Sequence, residues 1–599
     1  MASTRDTESR ASEKHEGVEH SEQPGHKEDI LLHASDDERN FEVDEHSLPP
    51  GYFKSPFFLG TMTGIGLGLM AGVAGFGYAA PILAIINNDI GPDKNVVWVA
   101  LTYTLTSAVT LTIIGRVTDI FGRRWIFVGG AGLGVIGSII CATAQSVNAL
   151  IGGTTIIGIA AATQLSYYYV MGELVPMKYR LAGNGFCYIF TIPGSGLAPV
   201  IAHAFILYHP KVGWRGCYYV LICVNTLSFL CWFFFYHPPT FRMKHGEHAS
   251  VLKYIKNFDY FGTLLYTGGL LILVMGLNWG GTVYPWKSGY VIGTIVAGFV
   301  GLVAFVLWES FAPLKEPLVP MHLFRNGGWN AATILSGLGA SVYYALAIVW
   351  PNMIAVLYDD GDQMSAAWYA SFVGLFIILG EIAGGFLAKS IGHLRMQCIV
   401  TVVISGIFFG CTATSTPDTK ARACAFVALG TFFIGWTESL AISIVTISAW
   451  DQSKLGSVSG LAGSIRFFIT SIASTVYNVT LNNRLASTVA AQVPPALVAA
   501  GLPSSSVSAF IAALTSGAGF ADVPGATATV IAAGVRANKM ANADAYRTIF
   551  FVSIAFSCIA LIASCMLPNV DALLTGKVAS TLHKGLKKEK RGKGEEAGN

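Results

Sequence analysis

Two ionisable residues inside apolar sequence are the strongest candidates for chemistry. Glu438 lies in "GWTESLAIS" and Arg466 in "GSIRFF". A charge inside a bilayer is costly and usually faces a cavity or a partner. At a helical rise of about 1.5 Å per residue, both lie roughly 18–20 Å from the charged turn 451–454. This spacing predicts an ion pair in which Glu438 exchanges a proton or contacts a solute, with a static pair between two helices as the alternative.

Polar and aromatic side chains in the apolar runs are candidate contacts for a bulky organic solute. Such solutes suit aromatic walls with a few polar groups. The candidates are Gln164, Tyr168, Asn225, Tyr344 and Trp436. Tyr168 is one of three consecutive tyrosines, which point about 100° apart on a helix, so at most two of them face one cavity. Ordinary packing is the alternative for each candidate.

A charged break between two apolar runs is a candidate for conformational control. The segment "IIGRVTDIFGRRWIF" (113–127) contains Gly115, Arg116, Asp119, Gly122, Arg123 and Arg124. A second segment, "GFLAKSIGHLR", begins at Gly385 and repeats the glycine spacing, with Lys389 in place of the acid. Such a repeat indicates two related halves. Glu173, Asp451 and Glu381 are assigned to the same inner gate, with Glu381 near Lys389 or snorkelling to the interface.

The elements that must position these residues are membrane spans. The chain has 599 residues, of which 53% are hydrophobic and 12% charged, about half the charged fraction of a soluble protein. Apolar runs of about 18 or more residues can cross a hydrocarbon core of about 30 Å. We predict fourteen spans, near 57–83, 97–115, 125–145, 149–171, 181–207, 217–236, 261–280, 289–309, 328–357, 366–388, 397–415, 423–450, 457–481 and 548–567.

Orientation follows from the lysine and arginine content of the breaks. The breaks after even-numbered spans hold fourteen of these residues and the short breaks after odd-numbered spans hold six, so the even breaks and both termini are predicted to be cytosolic. The predicted order is a disordered acidic tail (1–55), a six-helix half (56–236), an inserted helix pair with linkers (237–327), a second six-helix half (328–568) and a basic tail (569–599). Short helices are expected in the long outer loop (482–547), and Asn478 beside it begins a glycosylation sequon.

Several motifs together resemble a known family. Gly115-Arg116-x-x-Asp119-x-x-Gly122-Arg123-Arg124, placed between the second and third spans, is similar to the signature loop of the major facilitator superfamily. Fourteen spans resemble its drug:proton antiporters, which have two extra central helices. The stretches "LGTMTGIGLGLMAGVAGFGYAAPIL", "NNDIGPDKNVVWVALTYTL", "GELVPMKYRLAGN" and "KEPLVPMHLFRN" resemble the fungal trichothecene efflux pumps, which are related to siderophore-iron transporters. The resemblance implies an all-α carrier with two six-helix halves, and a role for Asp119 at a helix N-terminus between them.

Two departures from the antiporter pattern bear on energy coupling. Thr154 occupies the position in the fourth span where these antiporters typically carry an arginine. The antiporter motif of the fifth span is degraded to "TIPGSGLAPVIA", without the paired glycines after the proline. Proton coupling is therefore implied by the family but lacks its usual residues.

The sequence predicts a secondary active exporter of a fungal metabolite or toxic organic compound, with proton-coupled siderophore-iron import as the alternative. A membrane sensor is disfavoured because no long folded cytosolic domain is predicted. "GVAGFG" lies inside a span, and no nucleotide-binding loop is found. We therefore expect no catalytic residues, metal or cofactor, and a proton gradient as the driving force. The expected partners are the solute and the bilayer, not nucleic acid. We expect a multi-pass monomer in the plasma membrane, or alternatively in a vacuolar or vesicle membrane.

Overall fold

The computed structural model describes residues 43–582, except 49, 94, 240, 242–249, 282, 359, 517–518 and 581. In this part, thirteen helices are long and apolar enough to cross a membrane. The predicted all-α polytopic fold is therefore confirmed. Most of the predicted acidic tail, and the basic segment after residue 582, lie outside the described residues.

The first half begins where Ser55 caps a helix. Its hydroxyl accepts the N–H of Phe58, and Pro56 suits the first helical position because it has no N–H to satisfy. The helices of this half are α1 (Pro56–Gly77), α2 (Leu83–Ile90), α3 (Trp98–Phe121), α4 (Arg124–Ala142), α5 (Val147–Gln164), α6 (Tyr167–Leu174), α7 (Arg180–Ile189), α8 (Ala198–Tyr208) and α9 (Arg215–Phe235). The inserted region follows, with α10 (Val251–Asn257), α11 (Tyr260–Trp279) and α12 (Gly289–Phe311). α11 packs against α12 and also against α3.

The second half begins where Asn326 caps a long helix by accepting the N–H of Trp329. Its helices are α13 (Gly327–Leu357), α14 (Gln363–Ala370), α15 (Phe372–Ile391), α16 (Leu394–Thr412), α17 (Lys420–Ile447), α18 (Leu455–Ala499), α19 (Val507–Ser516) and α20 (Ala528–Cys565). The halves and the inserted pair therefore follow one another in the predicted order.

The predicted fifth span is broken near its middle. α7 ends at Ile189, a π turn covers Ile192–Gly196, and α8 begins at Ala198. Pro193 in this turn has no N–H to donate, so a regular helical ladder cannot continue through it. α7 packs against α15 and α8 against α14, so the broken segment follows its neighbour from the cytosolic to the outer side. Among the described residues, the fourteen predicted spans are thus thirteen long apolar spans and a fifth that is divided into two shorter helices. The fourth and tenth spans are interrupted only briefly, at 165–166 and at Ser371.

Two seams join the halves, and glycines at both allow close approach of the backbones. α3 packs against α18, and α7 against α15. A Cβ on Gly115 would collide with the carbonyl oxygen of Gly456, and a Cβ on Gly385 would lie 2.6 Å from the Cα of Gly185. Small residues permit such contacts between membrane helices. Because Gly115 and Gly385 begin the two repeated segments, the repeat marks equivalent places at the two seams.

The outer segment differs from the predicted loop of short helices. α18 has 45 residues and continues to Ala499, a length of about 68 Å and more than twice the hydrocarbon thickness. α20 begins at Ala528, before the predicted last span. The extensions of these two helices enclose a small apolar core with α19, formed by Val493, Leu497, Leu502, Phe510, Val523, Val530 and Ala541. The periodic alanine and valine content supports continuous helices here, so only α19 matches the expected short type.

The parts of the two tails next to the bundle are folded. Val43–Asp44 pairs antiparallel with Lys577–Val578, and Lys178 forms an ion pair with Glu45, which raises the pKa of Lys178. The N–H of Ser580 donates to the carbonyl of Glu173 over 3.0 Å. The predicted boundary of the acidic tail at residue 55 is therefore too late, because its last residues are held against the end of the helix bundle.

Candidate functional site

A small cavity lies between the two halves. Its volume is about 40 Å³, room for about one water molecule. The lining comes from α1, α6, α7 and the π turn of the first half and from α13, α15, α17 and α18 of the second. The lining residues are Leu69, Val73, Leu165, Tyr167, Tyr188, Thr191, Ser195, Tyr343, Tyr344, Ile377, Ile378, Glu381, Glu438, Ile442 and Arg466. Aromatic walls with a few polar groups are typical of sites for organic ligands.

Glu438 and Arg466 form an ion pair in this cavity. The Nη2 atom of Arg466 donates to Oε1 of Glu438, whose side chain is buried. α13 makes room for the pair at two glycines: Gly339 faces the Glu438 side chain and Gly337 faces the backbone of Arg466. The pairing predicted from equal depth is present, and its role in transport stays a prediction.

Glu381 also lines the cavity, and its predicted place near the inner face is wrong. It lies ten residues before the end of α15 at Ile391, or about 15 Å along the helix. Lys389, its expected neighbour, instead lies over the ring of Tyr179 at 4.8 Å. Glu381 forms no ion pair with the other described residues. The cavity therefore holds two carboxyl groups and one guanidinium, with one negative charge in excess when all are ionised.

Of the five predicted solute contacts, only Tyr344 lines the cavity. Gln164 Nε2 donates to Asn225 Oδ1 over 2.6 Å, and Asn225 Nδ2 donates to the carbonyl of Leu221 over 2.9 Å, so both amides are engaged inside the first half. Trp436 Nε1 donates to Gln397 over 3.1 Å and faces away from the site. Tyr168 donates through its hydroxyl to the carbonyl of Ser459 in α18, so it joins the halves instead of facing the solute.

Sequence reasoning missed several cavity residues. Tyr167, adjacent to Tyr168, lines the cavity and donates to the hydroxyl of Tyr188 over 2.6 Å. Thr191 and Ser195 border the same space from the π turn. The signal that would have found Thr191 and Ser195 was the proline and glycines of "TIPGSGLAPVIA", because an interrupted helix exposes polar atoms where it faces a cavity. No sequence signal distinguishes Tyr167 from Tyr168.

Asp119 binds the N-terminus of α18 across the seam between the halves. Its Oδ1 accepts the N–H of Gly456 (3.0 Å), and its Oδ2 accepts the N–H (2.6 Å) and the hydroxyl (2.7 Å) of Ser457. A carboxylate at a helix N-terminus is stabilised by the unpaired N–H groups and the helix dipole. The contact expected for Asp119 is therefore present, on the side of the cavity that the sequence predicts to be cytosolic. We call these three bonds the Asp119 latch.

The other residues of the charged loop have separate contacts. Arg123 is buried and binds both Asp119, at 3.0 Å, and Glu173, so it supports the latch from within the first half. Arg116 pairs with Glu316 in the linker after α12 at 2.6 Å, and Arg124 donates to the carbonyl of Phe233. Gly122 ends α3 with φ +91°, a conformation that favours glycine.

Further contacts between the halves, on the same side of the cavity as the Asp119 latch, were not predicted. Arg180 is fully buried and donates to the carbonyl of Thr446 (3.1 Å) and to Gln452 Oε1 (2.9 Å). Asn184 donates to the hydroxyl of Ser443 over 2.8 Å. In the sequence, Arg180 is indistinguishable from the loop arginines that set topology. Asp451, assigned to the gate, forms an exposed pair with Lys454 in its own half.

The cavity is also covered on its outer side. Phe76 of α1 packs edge-on against Tyr344 of α13, with ring centroids 4.9 Å apart. In the π turn of the broken fifth span, Ser195 contacts Gly374 of α15. Contacts on both sides and a volume of about 40 Å³ show an occluded state, too small for a bulky solute.

Two other positions considered in the sequence, Thr154 and Asn478, lie among packed helices. Thr154 is buried, and its hydroxyl lies 3.1 Å from that of Thr102, so a neutral hydrogen bond occupies the place of the antiporter arginine. Asn478 lies within α18 and is half-buried. Used sequons lie in surface loops, so this position argues against glycosylation of Asn478.

Comparisons with known proteins agree with this architecture. Residues 15–596 match the family model described as fungal trichothecene efflux pump (TRI12). The trichothecene efflux pump TRI12 of Trichoderma arundinaceum is 28% identical over 90% of this chain and 91% of its own length. TRI12 of Fusarium sporotrichioides is 26% identical over 90% of each chain. The MFS-type transporter prx5 of Penicillium rubens is 31% identical over 74% of this chain and 80% of its own length.

These matches separate the functional alternatives. None of the three relatives is named for siderophore uptake, so that alternative gains no support. All three are named as transporters, and the protein is accordingly a multi-pass membrane transporter and not an enzyme. Because the family match covers nearly the whole sequence, the chain belongs to the fungal trichothecene efflux pump family of major facilitator transporters.

Proposed function

We propose that the protein exports a bulky, largely apolar metabolite of the trichothecene type from the cytosol by alternating access. The observation that carries the proposal is the occluded aromatic cavity between the halves, which contains Glu438 paired with Arg466. Hydrogen bonds that can break, including the Asp119 latch, close its cytosolic side. The names of two relatives as trichothecene efflux pumps support this substrate class.

Proton movement is proposed as the driving force, with Glu381 as the carrier. A proton on Glu381 makes the cluster of Glu381, Glu438 and Arg466 neutral, whereas its loss leaves an uncompensated negative charge in a closed cavity. Burying such a charge is costly. Closure around the empty cavity is therefore favoured with Glu381 protonated, and release of that proton accompanies opening. This arrangement needs no charge at Thr154.

The test is export from a trichothecene-sensitive yeast that expresses the protein. The wild type should lower the intracellular level of a radiolabelled trichothecene and raise tolerance, whereas Glu438→Gln and Arg466→Ala should not, at matched abundance. Asp418→Asn is the control, because Asp418 is an exposed acid paired with Arg536 on the outer surface. Full export by both cavity variants would refute the role of the pair, and no export by the wild type would refute the substrate class.

The location and assembly state are part of the same proposal. We propose a plasma-membrane monomer with cytosolic termini, because an exporter must discharge its solute outside the cell and one chain contains both halves of the cavity. A fluorescent tag at the C-terminus should mark the cell boundary. Tag fluorescence confined to the vacuole would contradict the location, and a dimer in mild detergent would contradict the assembly state.

A further inference from the structure

A second cavity lies beside α1 and α7 at the cytosolic end of the first half. It measures about 510 Å³, and its walls are mostly apolar. Phe58, Leu59 and Met62 form one side, while Gly183 and Phe186 form the other. This volume is within the range of sites that hold drug-sized molecules. We call this cavity the α1–α7 groove.

The groove lies just inside the boundary between cytosol and membrane. Glu45 and Tyr179 border it. The ring of Tyr179 lies 5.0 Å from Lys178 Nζ and 4.8 Å from Lys389 Nζ, an arrangement typical of the headgroup level. Leu59, on the other side, is 51% exposed on the membrane-facing surface. The groove therefore opens toward the inner leaflet.

One face of α1 connects the groove with the transport cavity. Leu59, Met62, Gly66, Leu69 and Val73 follow one another at intervals of three and four residues, so they share a face of the helix. Leu59 and Met62 line the groove, whereas Leu69 and Val73 line the cavity. The groove and the transport cavity thus lie one after the other along this face of α1.

The broken fifth span, made of α7, the π turn and α8, forms the opposite wall of the groove and the barrier between the groove and the transport cavity. Phe186 lines the groove, and Tyr188 and Thr191 line the cavity. Between them, the ring of Phe190 packs onto Gly66, where a Cβ would lie 2.7 Å from the ring Cγ. Phe190 lies in the short link between the end of α7 at Ile189 and the π turn that begins at Ile192, so the barrier belongs to the irregular part of the broken span.

We propose that the exported solute reaches the transport cavity from the inner leaflet through the α1–α7 groove, with Phe190 as the plug. This inference rests on the proposed export function. The occupant is the solute and not a phospholipid, for two reasons. The groove leads to the transport cavity, and the polar side chains in its lining are Glu45 and Tyr179, neither of which offers a positive charge to a phosphate.

The test uses Leu59→Trp, which fills the groove, and Leu387→Trp as the matched control. Leu387 is 52% exposed, against 51% for Leu59, and it lies near the inner end of α15. Vesicles with the cytosolic face outward are assayed for uptake of a radiolabelled trichothecene. Leu59→Trp should raise KM about tenfold with little change in kcat, as expected when access is impeded, and Leu387→Trp should change neither.

Photolabelling of the purified wild type in the same vesicles with adamantyl diazirine, a compact apolar probe, provides a second measurement. The peptide that contains Phe186 should be labelled, excess trichothecene should suppress the labelling, and Leu59→Trp should lose it. Equal KM values for the two tryptophan variants, or labelling suppressed by added phospholipid but not by trichothecene, would overturn the inference. Absence of uptake by the wild type would instead refute the proposed export function, while competition for labelling would still report on the groove.

Discussion

Asp119→Asn should weaken closure on the cytosolic side without removing the solute site. The carboxylate of Asp119 accepts three hydrogen bonds from Gly456 and Ser457 of the other half. Hydrogen bonds to charged groups contribute about 1.5–3 kcal/mol each. An asparagine keeps one acceptor oxygen, turns an NH₂ group toward N–H donors, and loses the charge that the helix N-terminus stabilises.

The expected net loss is about 2–3 kcal/mol. At 1.36 kcal/mol per factor of ten, the ratio of gate-open to gate-closed protein should rise about 30- to 150-fold. Transport turnover should fall, because the outward-facing state is then less populated. The Asp119 side chain does not line the cavity, so solute affinity of the binding-competent state should be unchanged.

Electron–electron distance measurements between spin labels can read this equilibrium. Trp125 and Met396 are exposed and lie at the cytosolic starts of α4 and α16, so labels there report the separation of the halves after replacement of the ten native cysteines. The long-distance population should increase in Asp119→Asn but not in Asp418→Asn, which removes the same charge from the outer surface. An unchanged distribution, or the same change in both variants, would refute the latch.

Four further perturbations test other parts of the structure. Glu438→Gln/Arg466→Met, which removes both charges, should remain inactive if the pair acts in transport, whereas recovered export would identify a static ion pair. Glu381→Gln should retain facilitated exchange but lose accumulation driven by a pH gradient in vesicles, and preserved accumulation would exclude Glu381 as carrier. Arg180→Ala, which leaves Gln452 without its donor, should raise the gate-open population in the spin-label assay, and an unchanged population would contradict a gate role. Gly122→Ala forces a side chain to φ +91° and ψ 162°, a region that essentially only glycine adopts, at a cost of about 1–3 kcal/mol. It should therefore lower Tm, whereas Gly129→Ala, with open space at its Cβ, should not.

The successful sequence predictions rest on the depth of charged residues within their helices and on the repeated glycine motif. Glu438 and Arg466 are at similar distances from the same turn, and the helical rise alone places them at one level. The segments that begin at Gly115 and Gly385 repeat the same glycine spacing, which predicts two related halves. In the structure both glycines lie where the two halves touch. Asp119 was assigned by resemblance, and its contact with the N-terminus of α18 follows from the charge preference of helix ends.

The remaining predictions failed mainly because the sequence does not show which way a side chain points. Gln164 and Asn225 are polar residues in apolar helices, but Gln164 donates to Asn225 and Asn225 donates to the carbonyl of Leu221, and no single-sequence pattern shows that pairing. Tyr167 and Tyr168 are adjacent, and their different orientations depend on how α6 packs. The depth of Glu381 was misjudged because the inner end of α15 lies at Ile391. The break at Pro193 follows from the proline itself, but packing against α15 decides which polar atoms of the break face the cavity.

Equilibrium binding of a radiolabelled trichothecene to the purified protein tests most directly whether the solute site lies in the cavity and not at the charged loop. Tyr344→Ala removes a cavity wall and Asp119→Asn disrupts the latch. The structure predicts at least a tenfold loss of affinity for Tyr344→Ala. For Asp119→Asn it predicts affinity equal to or higher than that of the wild type, because the gate-open population that admits the solute increases. Wild-type affinity in Tyr344→Ala together with lost binding in Asp119→Asn would contradict this placement of the site.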